Sequence, residues 1–223
     1  MTRTILLSCI LSALASTQTM ASTSQYSSEC HPEILEQADI TNEDAAQFTV
    51  DKEGHTAEVA GVICDGTLIA AFDMLDNHPN LKKIVFLDVG GSVDDETNLK
   101  LATLFHSKKL HTHVSSKWNQ TDEFGEVIKG GVASGGTDLF LSGHKRTVDK
   151  GAYLGVHSWS NDEYEGADLP KTHSEHKPYI RFYKLIGLPL PEDFYFFTLE
   201  AATAEGMHYM TQDELETYQV ITE

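Results

Sequence analysis

The run Lys83-Ile84-Val85-Phe86-Leu87-Asp88 constrains the fold more than any other stretch of the chain. Its apolar residues are nearly continuous, as expected of a strand covered on both faces, where helices flank a mostly parallel sheet. The run ends in Val89-Gly90-Gly91-Ser92-Val93, after which Asp94 and Asp95 open a segment with Leu99, Ala102, Leu104 and Phe105 on one side. That spacing predicts an amphipathic helix, and acids at its start suit the helix dipole. A strand, a glycine pair and a helix in that order leave backbone N–H groups pointing outward at the turn.

The rest of the chain repeats the alternation. Phe48-Thr49-Val50 and Ala57 to Ile63 predict a hairpin turning at Lys52-Glu53-Gly54-His55, and Gly66 to Asn77 predicts a helix stopped by His78-Pro79. Leu110 to Ser115, Leu139 to Leu141 and Ala152 to Ser158 read as strands, Glu123 to Ile128 as a short helix or loop, and Ser142 to Arg146 as a turn. Asn161 to Lys171 reads as an exposed loop, and Tyr179, Phe182, Leu185 and Ile186 mark a helix ending at Gly187. Thr198 to Ala204 reads as helical, Thr211-Gln212-Asp213-Glu214 is a capping box, and Val220-Ile221 a final short strand. Strands alternating with helices indicate an α/β domain.

Acids outnumber Lys and Arg 34 to 16, a formal charge of −18 that opposes contact with nucleic-acid phosphates or anionic membranes. The N-terminus has the form of an export signal. Arg3 precedes the apolar run Ile5 to Leu14, and Thr19-Met20-Ala21 or Ala13-Leu14-Ala15 supplies a small-residue cleavage site. No segment is long and apolar enough for stable membrane insertion. The expected division is a signal peptide over residues 1–21, a flexible Ser/Thr-rich arm over 22–47 and one domain over 48–223, in the periplasm or outside the cell. In an oxidising compartment Cys30 and Cys64 are an even pair, expected to form a disulfide tying the arm to the first strand.

Ser134 lies in Lys129 to Gly143, among Gly130, Gly131, Gly135 and Gly136. Small residues on both sides let the backbone turn sharply and approach another chain segment closely. A serine on such a turn is one way to present a nucleophile beside free N–H groups, although short Gly/Ser turns are also common without any role.

Taken together, Gly90-Gly91-Ser92-Val93 after a buried strand, Val132-Ala133-Ser134-Gly135-Gly136, and Gly155-Val156-His157-Ser158 resemble the Clp protease proteolytic subunit and, more widely, the ClpP/crotonase superfamily. The closest likeness is to exported bacterial members, and it runs from about Val59 to Val220. The resemblance implies an α/β spiral of β-β-α units, usually assembled as homo-oligomers, and a serine hydrolase acting on a peptide or protein substrate without a cofactor. It implies that Ser134 is the nucleophile and His157, 23 residues later, the general base. The N–H groups of Gly91 (or Gly90) and Gly135 would form the oxyanion hole. The third triad member departs from the pattern, because the resemblance places Met207 where an aspartate belongs. Glu205 or Asp193 would then stand in, or the site is a Ser-His dyad, or it is degenerate and the protein binds or assembles without catalysis.

Other chemistries were weighed. His111 and His113 on one strand face, with His106, and the pair His173 and His176 raise a metal site, but surface histidines are the plainer reading and no metal is expected. A serine–lysine pair with Lys129 or Lys150 requires a desolvated lysine, which a polar Gly-rich loop does not supply. Asp138 and Asp149 read as strand-end and turn residues. Acyl-CoA chemistry on the same fold fits export poorly.

Overall fold

A computed structural model describes residues 23–121, 127–161 and 163–223. The expected signal peptide lies outside the described residues, as do residues 123–126 of the expected helix or loop, whose last two residues, Val127 and Ile128, begin a short strand (Val127–Lys129) instead.

The chain begins with β1 (Ser24–Ser27) and α1 (Pro32–Ala38), then the hairpin of β2 (Gln47–Val50) and β3 (Thr56–Ala60). The helix α2 (Thr67–Asn77) leads to β4 (Lys83–Val89), and α3 (Asp95–Ser107) to β5 (His111–Val114). A two-stranded ribbon, β6 (Lys117–Thr121) and β7 (Val127–Lys129), precedes β8 (Gly131–Ala133), α4 (Gly135–Leu141), β9 (Lys145–Val148) and β10 (Tyr153–Val156). The remainder holds α5 (Lys177–Leu185), α6 (Pro191–Ala201), β11 (His208–Tyr209) and α7 (Gln212–Thr217).

These elements build a mixed α/β structure around one forked sheet. β4 is its trunk. One side of β4 pairs parallel with β3, while on the other Lys83 to Phe86 pair with β5, and Asp88 and Val89 pair with β8. One branch continues from β5 to β9 and the other from β8 to β10 and β11. The strands β4, β8 and β10 run parallel, so the turns after them leave at one end of the sheet. Those turns carry Gly91, Ser134 and His157. Crevices outside the carboxyl ends of parallel strands are where open α/β sheets present binding groups.

The core is what the apolar pattern predicts. Phe48, Phe86, Phe105 and Phe140 are fully buried, with Phe86 of β4 meeting Phe140 of α4 edge-on at 6.2 Å between ring centres. Asp94 caps α3 by accepting from the Thr97 N–H at 3.0 Å, and the capping box of Thr211 and Glu214 starts α7.

Several expectations need correction. Leu139 to Leu141 are the end of α4, not a strand; all three are buried, and a short apolar run has no periodicity to separate the two. Residues 24–27, expected in a flexible arm, form the edge strand β1 against β2, and Pro32 at the first turn with the His31 cap starts α1. The helix expected from Thr198 starts earlier, at Pro191, which suits a first turn because it needs no N–H partner there. The turn expected over Ser142 to Arg146 gives way to β9 at Lys145. Val220-Ile221 is irregular rather than a strand. The buried Arg146 guanidinium takes over its role, donating to the carbonyls of Val220 at 2.7 Å, Gln219 at 2.9 Å and Gly143 at 3.0 Å.

Cys30 and Cys64 form a disulfide, with Cα atoms 5.7 Å apart. It joins the segment before α1 to the turn between β3 and α2, just beyond the strand to which the arm was expected to be tied. Ser28 Oγ donates to Thr67 Oγ1 at 3.0 Å, and the Cys64 N–H donates to the same Thr67 oxygen at 2.9 Å. With the cysteines 34 positions apart, opening the bridge is expected to lower stability by about 3–4 kcal/mol through the freedom returned to the unfolded chain. Urea titration of the Cys30→Ser/Cys64→Ser variant against the oxidised parent checks this.

Candidate active site

Ser134 occupies the single residue between β8 and α4. Its φ of 51° and ψ of −127° lie in a region that residues with a Cβ rarely adopt. The turn is held from three sides. The Ser134 N–H donates to the Gly155 carbonyl at 3.0 Å, and the Thr137 hydroxyl donates to the same oxygen at 2.8 Å. From α3, the Asn98 side-chain amide donates to the Gly135 carbonyl at 2.9 Å. A Cβ on Gly135 would come within 2.5 Å of Ser92 Oγ, and one on Gly136 would strike the Val89 carbonyl. The flanking glycines are therefore required by how closely α4 starts against the end of β4. A serine on a sharp strand-to-helix turn, with its side chain thrust clear of the backbone, is the geometry of a nucleophile elbow.

Gly91 stands against this serine. A Cβ added to Gly91 would lie 3.2 Å from Ser134 Cβ and 3.6 Å from Ser134 Oγ, and its φ of 153° suits glycine. Gly91 O is occupied by the Ile63 N–H at 2.9 Å, which orients that peptide. Gly135 is the first residue of α4, so its N–H has no acceptor within the helix. Gly91 and Gly135 thus both lie beside the serine.

His157 directly follows β10 and lines the same pocket as Ser134, together with Asp95, Thr137, Asp138, Trp159, Tyr179, Tyr183 and Tyr195. The pocket holds about 40 Å³, room for one to three water molecules. Among the described residues no hydrogen bond joins Ser134 Oγ to His157, and His157 Nδ1 is buried without a partner. Catalytic hydrogen bonds are often open before substrate binds, so shared lining of one pocket is the relevant geometry.

No carboxylate orients His157 among the described residues. Met207, where the acid was expected, packs on Gly155, its Sδ 2.6 Å from where a Cβ there would stand. Asp193 and Glu205 are exposed and absent from the pocket wall. Two acids reach the pocket, Asp95 at the start of α3 and Asp138, which was expected at a strand end. Asp138 sits one turn along α4 from Ser134, and its Oδ1 accepts from Tyr183 OH at 2.5 Å. Desolvation pushes its carboxyl up from 3.8 to about 7 against the opposing pull of the Tyr183 bond. Reading Leu139 to Leu141 as a helix would have placed Asp138 at i+4 from Ser134, on the same face.

A second layer holds the aromatic wall. Tyr179 OH donates to Asp95 Oδ2 at 2.5 Å, and Ser92 Oγ donates to Asp95 Oδ1 at 2.7 Å. Trp159 Nε1 donates to Tyr195 OH at 2.8 Å, and that hydroxyl meets His176 Nδ1 at 2.8 Å. Burial, then the nearby Asp95 and Asp138 charges, push the Tyr179 and Tyr183 phenols up, so both stay protonated donors.

The other candidates lie elsewhere. Lys129 in β7 and Lys150 are exposed and outside the pocket. His113 is engaged by Thr147 Oγ1 at 2.8 Å and Asp149 at 3.5 Å, His106 by the Ser142 carbonyl at 3.0 Å, and His176 by Tyr195 and the Pro170 carbonyl. Asp149 follows β9 and accepts from the Ser116 N–H at 3.2 Å, a turn residue as expected.

No family model and no curated protein matches the chain. Among solved structures it is similar to a point mutant of 1510-N membrane-bound stomatin-specific protease, at 15% identity and a TM-score of 0.46, over 75% of each chain. A second mutant of that protease, in complex with a substrate peptide, aligns at 15% identity and a TM-score of 0.42, over 70% of this chain and 65% of that one. The site is argued from its own geometry.

Two outcomes follow from that geometry. Ser134→Gly relieves the backbone strain that Ser134→Ala retains, so the glycine variant is expected to be about 1 kcal/mol more stable than the alanine variant in urea titration. Asp138 holds its proton more tightly folded, near 7, than unfolded, near 3.8, so ionising it opposes folding as pH rises across that window. Asp138→Asn is expected to be more stable than wild type at pH 8, with the gap closing as pH falls to 4; a constant gap in thermal melts would contradict the assignment.

Proposed function

We propose that this chain is an exported serine hydrolase of the ClpP/crotonase type, most simply a peptidase, that uses a Ser134–His157 dyad. The observation that carries the reading is Ser134 itself: a serine held at positive φ on a strand-to-helix turn, in one pocket with a histidine. Strain at a non-glycine residue is tolerated where the position of its side chain matters.

In this mechanism His157 takes the Ser134 hydroxyl proton as Oγ attacks the substrate carbonyl. The oxygen of the tetrahedral intermediate is held by the N–H groups of Gly91 and Gly135, aided by the positive end of α4. His157 then returns the proton to the leaving group, and water repeats the sequence to release the acyl group. With Met207 in place of an acid, nothing fixes the imidazole tautomer, which predicts a slow enzyme rather than an inert one. Export is supported by the N-terminal sequence and agrees with the Cys30–Cys64 bridge. The resemblance further suggests a homo-oligomer and a peptide or protein substrate. Among the described residues no helix is long and apolar enough to cross a membrane.

A second reading, a non-catalytic binding or assembly protein on the same fold, draws on the unpartnered His157 Nδ1. Fluorophosphonate labelling separates the two. The wild type is expected to label near neutral pH, Ser134→Ala not at all, and His157→Ala at least about 1,000-fold more slowly. Absence of serine-dependent labelling would favour the binding protein.

A further inference from the structure

The pocket beside Ser134 carries one group for which hydrolysis has no use. Asp138 has a single protein donor, the Tyr183 hydroxyl on Oδ1; among the described residues Oδ2 receives none. Two neighbouring donors are committed elsewhere: Tyr179 OH to Asp95, and Trp159 Nε1 to Tyr195, whose own hydroxyl meets His176. Tyr179 could turn to Asp138 only by giving up Asp95, and Trp159 only by giving up Tyr195. Asp95, on the same wall, adds a second negative charge, and the chain as a whole carries −18. A half-solvated carboxyl in an aromatic-walled pocket is matched by a cation that brings its own donors.

We propose that this pocket selects substrates bearing a primary ammonium group close to the reacting carbonyl, with Asp138 as the residue that receives it. The inference rests on the serine-hydrolase reading for what the carbonyl does, but not for what the pocket binds. Size chooses among cations. About 40 Å³ accepts an ammonium head, a compact charge with three donors. A planar guanidinium, with its extra heavy atoms, needs more room. Position agrees as well. Asp138 lies in the first turn of α4 and lines the same pocket as Ser134. A cation held there lies within reach of either a lysyl side chain or a free amino terminus on the acyl residue. Both sources share the ammonium, and substrates tell them apart.

The test compares kcat/KM for matched p-nitrophenyl esters. Nα-acetyl-lysyl against Nα-acetyl-norleucyl reads the side chain, alanyl against N-acetyl-alanyl reads the free terminus, and Nα-acetyl-arginyl reads the size limit. One of the first two ratios is expected to exceed about tenfold in wild type, and to collapse toward one in Asp138→Asn whatever the absolute rates. If the lysyl ratio is the large one, the arginyl ester is expected to fall well below the lysyl ester. Ratios near one in a wild type that takes the fluorophosphonate label would overturn the proposal and leave the hydrolase standing. A large ratio that persists in Asp138→Asn, or an arginyl ester as good as the lysyl, would also overturn it.

Should the wild type fail to label, the hydrolase reading falls alone, and binding decides the ammonium site. Thermal melts of Ser134→Ala are expected to rise with n-butylammonium and not with n-butanol, and to show no difference between the two in Ser134→Ala/Asp138→Asn. Equal responses to amine and alcohol in Ser134→Ala would sink the assignment.

Discussion

One carbonyl organises the site. Gly155 O accepts both the Ser134 N–H and the Thr137 hydroxyl, so the start of α4 is fastened to β10 two residues before His157. Without those two bonds Ser134 would have no reason to stay at positive φ, since the strain of that conformation is about 1–3 kcal/mol. Gly155 in turn must lack a side chain, because Met207 from the following chain lies where its Cβ would be. The same methionine that leaves His157 without an acid also seals the strand to which the serine turn is tied.

The electrostatics of the pocket follow from its enclosure. Tyr183 and Tyr195 are buried, Tyr179 stacks on Tyr195 with ring centres 5.3 Å apart, and water enters only through a small opening. Such surroundings weaken the solvation of any charge within them, which is why the Asp138 carboxyl is pushed toward neutrality while Tyr183 remains a donor. They would also strengthen each interaction made with a substrate, as long as water stays outside. The pocket is therefore small, aromatic-walled and lined by two acids, and among the described residues no carboxylate braces its histidine.

Much of this was legible in the sequence, for identifiable reasons. The strand β4, the glycines after it and the helix that Asp94 opens are local signals and stand where expected, but Val85 and Leu87 are only half-buried, so one face of β4 is less covered than its apolar run implied. Ser134 and His157 could be named because the motifs around them carry the resemblance to the ClpP/crotonase superfamily; the Gly-rich turn alone reads equally as an ordinary loop. The failures share a cause. Gly135 to Leu141 is nearly all apolar or small, and seven residues without a polar stripe do not declare a period. Misjudging that helix hid Asp138, and with it the acid that faces the pocket. The tyrosines of α5 and α6 were equally invisible, because only chain folding brings Tyr179, Tyr183 and Tyr195 across from Ser134.

By itself the sequence determined the class of fold, the turn on which Ser134 sits and the glycines beside it, because each depends on neighbours within a few residues. It also exposed the departure at Met207. The tertiary structure alone decided that β4, β8 and β10 lie side by side, so that three distant turns meet at one end of the sheet. It decided too which acid enters the pocket and which donors it finds there. Desolvation and hydrogen-bond partnership are properties of the enclosed space, and no local pattern of residues encodes them.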